Sequence, residues 1–229
     1  MIKKSIKADG WLLLLTLIWG LSFTLVKTAV SDIGPILFLA IRFWIGSILL
    51  IPFFLKKKTH FDIGILYRGG ILGLFMFLGM ILQTIGLKYT TASKSGLITG
   101  LAVIFVPILV ILIERKLPKK ASIAGVILAT AGIFLLTHPK SMTFNRGDFY
   151  TLLCAVSFAF QIITIAMLVK RGEEFVLAFI MITVTAILAS FSVFIFQDYT
   201  IHFTTSMIFS LLCVASLSTA LGFWIQVHW

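Results

Sequence analysis

An all-α integral membrane protein is the fold class this sequence predicts, and three observations predict it. Hydrophobic residues make up 60% of the 229 and charged residues only 12%, where a soluble domain carries about 25% charge. The apolar residues are gathered into long blocks. Residues 11–26, 69–87, 95–113, 121–137, 149–169, 175–197 and 203–227 hold no charged side chain, and 35–55 holds one. Each block is near or above the ~17–25 residues with which a helix crosses a ~30 Å hydrocarbon core. Third, the runs do not alternate and are too long for the ~9–11-residue strands of a barrel, the only other structure that satisfies its backbone in lipid. Eight transmembrane helices joined by short loops follow.

Helix 1 opens with "MIKKSIKADGWLLLLTLIWG", which imitates a signal peptide but has no small-residue cleavage site, so it is expected to stay in place as the first span. Helix 2 carries Arg42 in the middle of "FLAIRFWIGSILL". Gly69-x3-Gly73 on helix 3 and Gly96-x3-Gly100 on helix 4 have the small-residue spacing suited to close helix contact, and both are expected to be structural. Helix 4 also holds Pro107, which removes a backbone hydrogen bond and makes either a hinge or a static kink. Cys154 and Cys213 fall inside spans and read as small core residues.

The net charge of +11 does not point to nucleic acid, because the bases sit at helix ends. Placing the amino terminus in the cytoplasm puts thirteen of the nineteen Lys and Arg residues inside, among them Lys56, Lys57, Lys58, Arg115, Lys116 and Lys170, as the positive-inside rule requires.

The chain also repeats itself. A shift of 139 lays Asp9-Gly10-Trp11 on Asp148-Phe149-Tyr150, Trp19 on Phe158 and Ser22 on Gln161; a shift of 143 lays "LGMILQ" (78–83) on "LGFWIQ" (221–226). The second copy starts after five spans, an odd number, which turns it upside down. The loop charges swap accordingly: Lys56-Lys57-Lys58 follows helix 2, while "QDYTIHFT" after helix 7 has no Lys or Arg. Inverted repeats are a hallmark of secondary transporters, with the substrate site near the midplane between the halves.

Six stretches in order, "LIWGLSFTLVK" (17–27), "LAIRFWIG" (39–46), "GLKYTTASKSGLI" (86–98), "FVPILVILIERKLP" (105–118), "GVILATAGIFLL" (125–136) and "GDFYTLLCAVSFA" (147–159), resemble the EamA branch of the drug/metabolite transporter superfamily. The resemblance covers the whole chain. It implies ten helices in two inverted five-helix repeats, moving small metabolites across bacterial inner membranes. On that pattern residues 1–140 form the first repeat, and 144–229 a second repeat with three of its five helices, lacking the closing Tyr-Thr, Pro and Glu motifs. The 51 residues after Gly86 up to Thr137 then have no counterpart beyond Trp229. An incomplete transporter, inserting but transporting poorly, is the corresponding expectation.

Arg42 lies about nine residues into helix 2, ~14 Å deep at 1.5 Å per residue, with every Asp and Glu at a span end or in a loop. Such a charge costs ~2.5–3.5 kcal/mol on insertion scales and normally faces a cavity or a partner. It is expected either to meet an anionic group in the central cavity or to pin helices through carbonyl bonds. Trp19, Ser22 and Phe23 share a face of helix 1 and either line a site or pack. Gln83 and Gln226 occupy matching repeat positions and Gln161 sits on the counterpart of helix 1; amides there bond a substrate or a neighbouring helix. Trp224 joins the expected cavity set. Pro107 and Glu114 are the candidates for gating or coupling; Glu114 resembles the family's Glu, though a solvated pair with Arg115 and Lys116 is the simpler reading.

The leading reading is therefore a secondary transporter, an exporter of small metabolites such as amino acids, in the bacterial inner membrane. Its expected partners are the small-molecule substrate, the lipid bilayer and further copies of the chain as a homo-oligomer, with no nucleic acid and no cofactor or metal. A G-x4-G-K-[ST] phosphate loop is absent, so no ATP engine is expected; H-E-x-x-H and G-x-S-x-G are absent too, which argues against an intramembrane enzyme. The alternative is a non-transporting truncated remnant of such a transporter.

Overall fold

The computed structural model describes residues 2–56, 62–115, 120–137 and 144–228. It is all-helical: α1 Ile2–Ala29, α2 Pro35–Lys56, α3 Ile63–Tyr89, α4 Ala92–Gly100, α5 Ala102–Glu114, α6 Lys120–Thr137, α7 Arg146–Leu168, α8 Glu174–Phe196, α9 Thr205–Cys213, a π-helical stretch Val214–Leu221, and α10 Gly222–His228. Seven stretches are long and apolar enough to cross a membrane, α4–α5 and α9–α10 each counting as one. The expected fifth span is α6, apolar over Ile123–Gly132. The only bridge between extended segments among the described residues is Ile33 with Ile201.

Local chemistry sets the helix starts. Asp62, Thr91 and Thr204 each accept a bond from the backbone N–H three residues on, and Asn145 with Asp148 makes a reciprocal capping box. The start of α2 is capped from afar: Asp198 Oδ2 accepts Ile36 N–H at 2.7 Å. Together with Thr204 Oγ1, which donates to Asp32 Oδ2 at 2.6 Å, this ties the α1–α2 turn to the segment before α9. Lys27 donates to the carbonyls of Leu87 and Lys88 at 2.6 and 3.3 Å, at the C-terminal end of α3 where a cation is favoured.

The core lies where α2, α3, α7 and α8 meet. α2 runs along α8, and α3 packs on both α7 and α8. Phe43, Leu72, Met76, Leu177 and Met181 are fully buried there. Glycine allows the closeness: a Cβ at Gly73 would sit 2.7 Å from Val184 Cβ and 3.0 Å from the Met181 carbonyl oxygen, and one at Gly69 would strike Ile180. The first small-residue spacing is thus a helix contact. The second is not: a Cβ at Gly96 would come no nearer than 3.7 Å to Phe23, and Gly96 and Gly100 line a cavity instead. Because lipid offers helices no hydrophobic drive to associate, such contacts and interhelical hydrogen bonds carry the assembly. Those between α2 or α3 and α8 are Trp44 Nε1 to Ser190 Oγ at 2.9 Å, Ser47 with Thr183 at 2.7 Å and Thr185 Oγ1 to Gly73 O at 3.1 Å.

At the opposite end from the Asp32–Asp198 cluster, Arg68 pairs with Glu173, one guanidinium N–H donating to Oε1 at 3.0 Å, and also donates to Leu168 O at 2.9 Å. Hydrogen bonding from Arg68 holds the Glu173 carboxyl below the usual range, outweighing burial. A depressed carboxylate contributes stability that is full above its unfolded value, ~4.3, and is lost as pH falls through the folded value. Glu173→Gln should therefore destabilise the folded protein in detergent at pH 7, by on the order of 1 kcal/mol, and the gap to wild type should narrow as pH falls below ~4.3. A gap unchanged at pH 3 would show that the carboxylate charge is not what stabilises the contact.

Candidate functional site

Arg42 projects from the eighth position of α2 and is 2% exposed. Its partners sit on the π-helical stretch. Nε donates to Thr219 Oγ1 at 2.7 Å and Nη2 to Ser218 Oγ at 3.2 Å. The extra residue per turn arranges this. Gly222 N–H, which in an α-helix would donate to Ser218 O, skips it and is shared between Leu217 O and Thr219 O. Ser218 O accepts Trp19 Nε1 at 3.2 Å, and Thr219 Oγ1 gives its own proton to Val214 O at 3.1 Å, keeping lone pairs for Arg42. A Cβ at Gly46 would stand 2.9 Å from Thr219 Cγ2, so this glycine lets α2 lie against the bulge. One knot thereby joins α1, α2 and the last span. A guanidinium has five N–H donors. Two are used, and among the described residues no carboxylate pairs with Arg42.

The guanidinium borders a cavity of about 1470 Å³, walled by α1, α3–α7 and the last span. Trp19, Ser22 and Phe23 line it from α1, as the helical spacing suggests. Gln83 lines it from α3, its amide donating to Thr99 Oγ1 at 3.3 Å. Gln161 and Gln226, from α7 and α10, face each other as a reciprocal amide pair at 3.4 Å in both directions. Apolar walls with a few convergent polar groups are the usual make-up of a small-molecule site.

Trp224 does not belong to this lining. It packs against the core on the other side of α10 and its ring stacks on His228, 5.7 Å between centroids. The helical turn decides this: Phe223 and Gln226, three apart, take the cavity face and leave Trp224 off it. Pro107 lines the cavity from α5, where it leaves the Val103 carbonyl without its helical donor. The helix is already broken six residues earlier, at Leu101 between α4 and α5. Glu114 closes α5, but its side chain lies outside the described residues. Sequence reasoning missed Ser218 and Thr219. The signal was available in "SLST" (216–219), three hydroxyl residues within four positions of an apolar span.

Comparison with known proteins bears on the whole chain. The EamA-like transporter family model matches residues 6–138. An Archaeoglobus fulgidus protein named as an uncharacterized transporter is 35% identical over 217 residues, covering 94% of this chain and 67% of the relative. Bacillus subtilis YoaV, likewise named an uncharacterized transporter, is 28% identical over 148 residues, covering 62% of this chain and 49% of the relative. A solved crystal structure superposes with a TM-score of 0.73 over 97% of this chain and 78% of its own, at 18% identity, and shows the fold is shared. A family match over more than half the chain, a relative aligned over 94% of this chain, and a multi-pass helical fold agree: this membrane protein belongs to the EamA-like transporter family.

Proposed function

We propose that the protein is a secondary transporter exporting small amphipathic metabolites, amino acids among them, through the cavity beside Arg42, with its amino terminus in the cytoplasm. The observation that carries this is a cavity of about 1470 Å³ with an apolar wall, one guanidinium and three carboxamides. The Lys and Arg bias supports the orientation. Packing supports an inverted repeat: α2 lies along its counterpart α8, and α3 on α7 has the same relation as the last span on α1. On this reading Arg42, held by two hydroxyls and by no carboxylate among the described residues, marks the site in one half alone, since the residue equivalent to it is Met181.

Purified protein in liposomes should exchange labelled amino acids across the membrane without ATP, and failure with every common amino acid would remove that substrate class. The cavity assignment has its own test. Cysteines at Ser22 and Gln83 should react with a small aqueous thiol reagent, and a transported amino acid should slow that reaction severalfold. A Cys213→Ser background removes the half-buried native thiol, Cys154 being buried. Inert cysteines at both positions would mean packed helix faces.

A further inference from the structure

We infer that the group this site recognises is a single carboxylate on an apolar, ring-sized body, and that an α-ammonium contributes little to binding. This rests on the transport cavity proposed above and deepens it. Four observations lead there.

The first is the state of Arg42. It is 2% exposed, yet among the described residues only Nε and one Nη2 proton have protein acceptors. Both acceptors are neutral hydroxyls. The Trp19 and Thr219 bonds hold the receiving helix in place, so the fork is pre-oriented and its remaining N–H groups are free for two parallel bonds to one carboxylate. The second is the charge count. Arg42 is the one Lys or Arg on the cavity wall among the described residues. One cation matches a monoanion; a phosphate ester with nearly two charges would be left half-compensated in low dielectric.

The third is that no Asp or Glu stands on the described wall. A substrate ammonium would have only amide oxygens, hydroxyls and ring faces to replace its water, and burying a charge without an ionic partner is costly. The Gln161–Gln226 pair further spends one carbonyl oxygen of each amide on its partner. The fourth is the apolar part. Trp19 and Phe223, 5.5 Å between centroids, line the same cavity as Arg42, with Phe23 and Phe158 also on the wall. A flat apolar body finds stacking partners within reach of the fork.

Three probes with one ring separate the charges: 3-phenylpropanoate carries only the carboxylate, phenylalanine both groups, and phenethylamine only the ammonium. Binding is read as protection of a Ser22→Cys thiol from an aqueous reagent in the whole 229-residue chain carrying Cys213→Ser. 3-Phenylpropanoate should protect at concentrations equal to or below those of phenylalanine. Phenethylamine should need at least about tenfold more, the discrimination expected when a charge-assisted bond is made or missing. In Arg42→Gln that tenfold preference should vanish while the thiol, without probe, reacts at its former rate, showing that the cavity is intact. Equal protection by phenethylamine, a preference that survives Arg42→Gln, or no protection by any of the three at 10 mM-scale concentrations (about the weakest useful affinity) would each overturn the inference. Charge-selective protection without exchange in liposomes would instead sink the transport reading and leave the recognition intact.

Discussion

Arg42→Leu is expected to abolish substrate exchange by roughly 10- to 100-fold or more while the protein still reaches the membrane in normal amount. The magnitude follows from losing a charge-assisted hydrogen-bonded contact to the substrate, ~1.5–3 kcal/mol at ~1.4 kcal/mol per tenfold. Insertion should not suffer, because leucine removes a charge that costs ~2.5–3.5 kcal/mol at mid-span. Nor does the variant leave Thr219 stranded, since its hydroxyl still donates to Val214 O. Arg42→Lys should recover little. An ammonium is a point donor and cannot hold Thr219 through Nε, Ser218 through Nη2 and a ligand at the same time. Labelled amino-acid exchange, normalised to protein in the membrane, checks both variants, and normal exchange by Arg42→Leu would show that the guanidinium only pins helices.

The largest stability effect is expected at Gly73, and its neighbour supplies the control. Gly73→Ala puts a methyl group 2.7 Å from Val184 Cβ and 3.0 Å from the Met181 carbonyl oxygen, both on α8. A backbone oxygen cannot swing aside, so α3 and α8 must part, at ~1–3 kcal/mol for overpacking. The Thr185 Oγ1 bond to Gly73 O, 3.1 Å, weakens with them. Gly70→Ala, one turn back on the same helix, meets nothing within 4 Å and should be neutral or stabilising by up to ~1 kcal/mol from helix propensity. Unfolding midpoints in detergent should fall for the first and not for the second. Equal midpoints would mean that the α3–α8 contact has slack that the close approach does not suggest.

Both predictions turn on contacts between distant parts of the chain, and this marks the boundary of what the sequence determined by itself. Charge-free runs and the ordered family motifs were enough for the spans, their approximate ends and the transporter family. The reason is that span length is a local property, set by bilayer thickness. Which way each side chain faces is not local. A helix that is apolar all round carries no stripe to point it, so residue order points to Trp224 for the cavity and passes over its neighbour Phe223. Packing placed Phe223 on the wall and Trp224 against His228. The same holds for Gly96 and Gly73, which share a motif but not a contact.

Arg42 shows the division most clearly. Its depth and its lack of an acidic neighbour were legible from residue order alone. Its partners were not, because they depend on a π-helical stretch at Val214–Leu221, which the matching span α3 forms as regular α-helix. Widening a turn there is worthwhile only when α1 and α2 are already beside it, with Trp19 Nε1 to donate to Ser218 O and Gly46 to admit Thr219. Residue order set the charge in the membrane; the tertiary structure chose the hydroxyls that hold it and the cavity it faces.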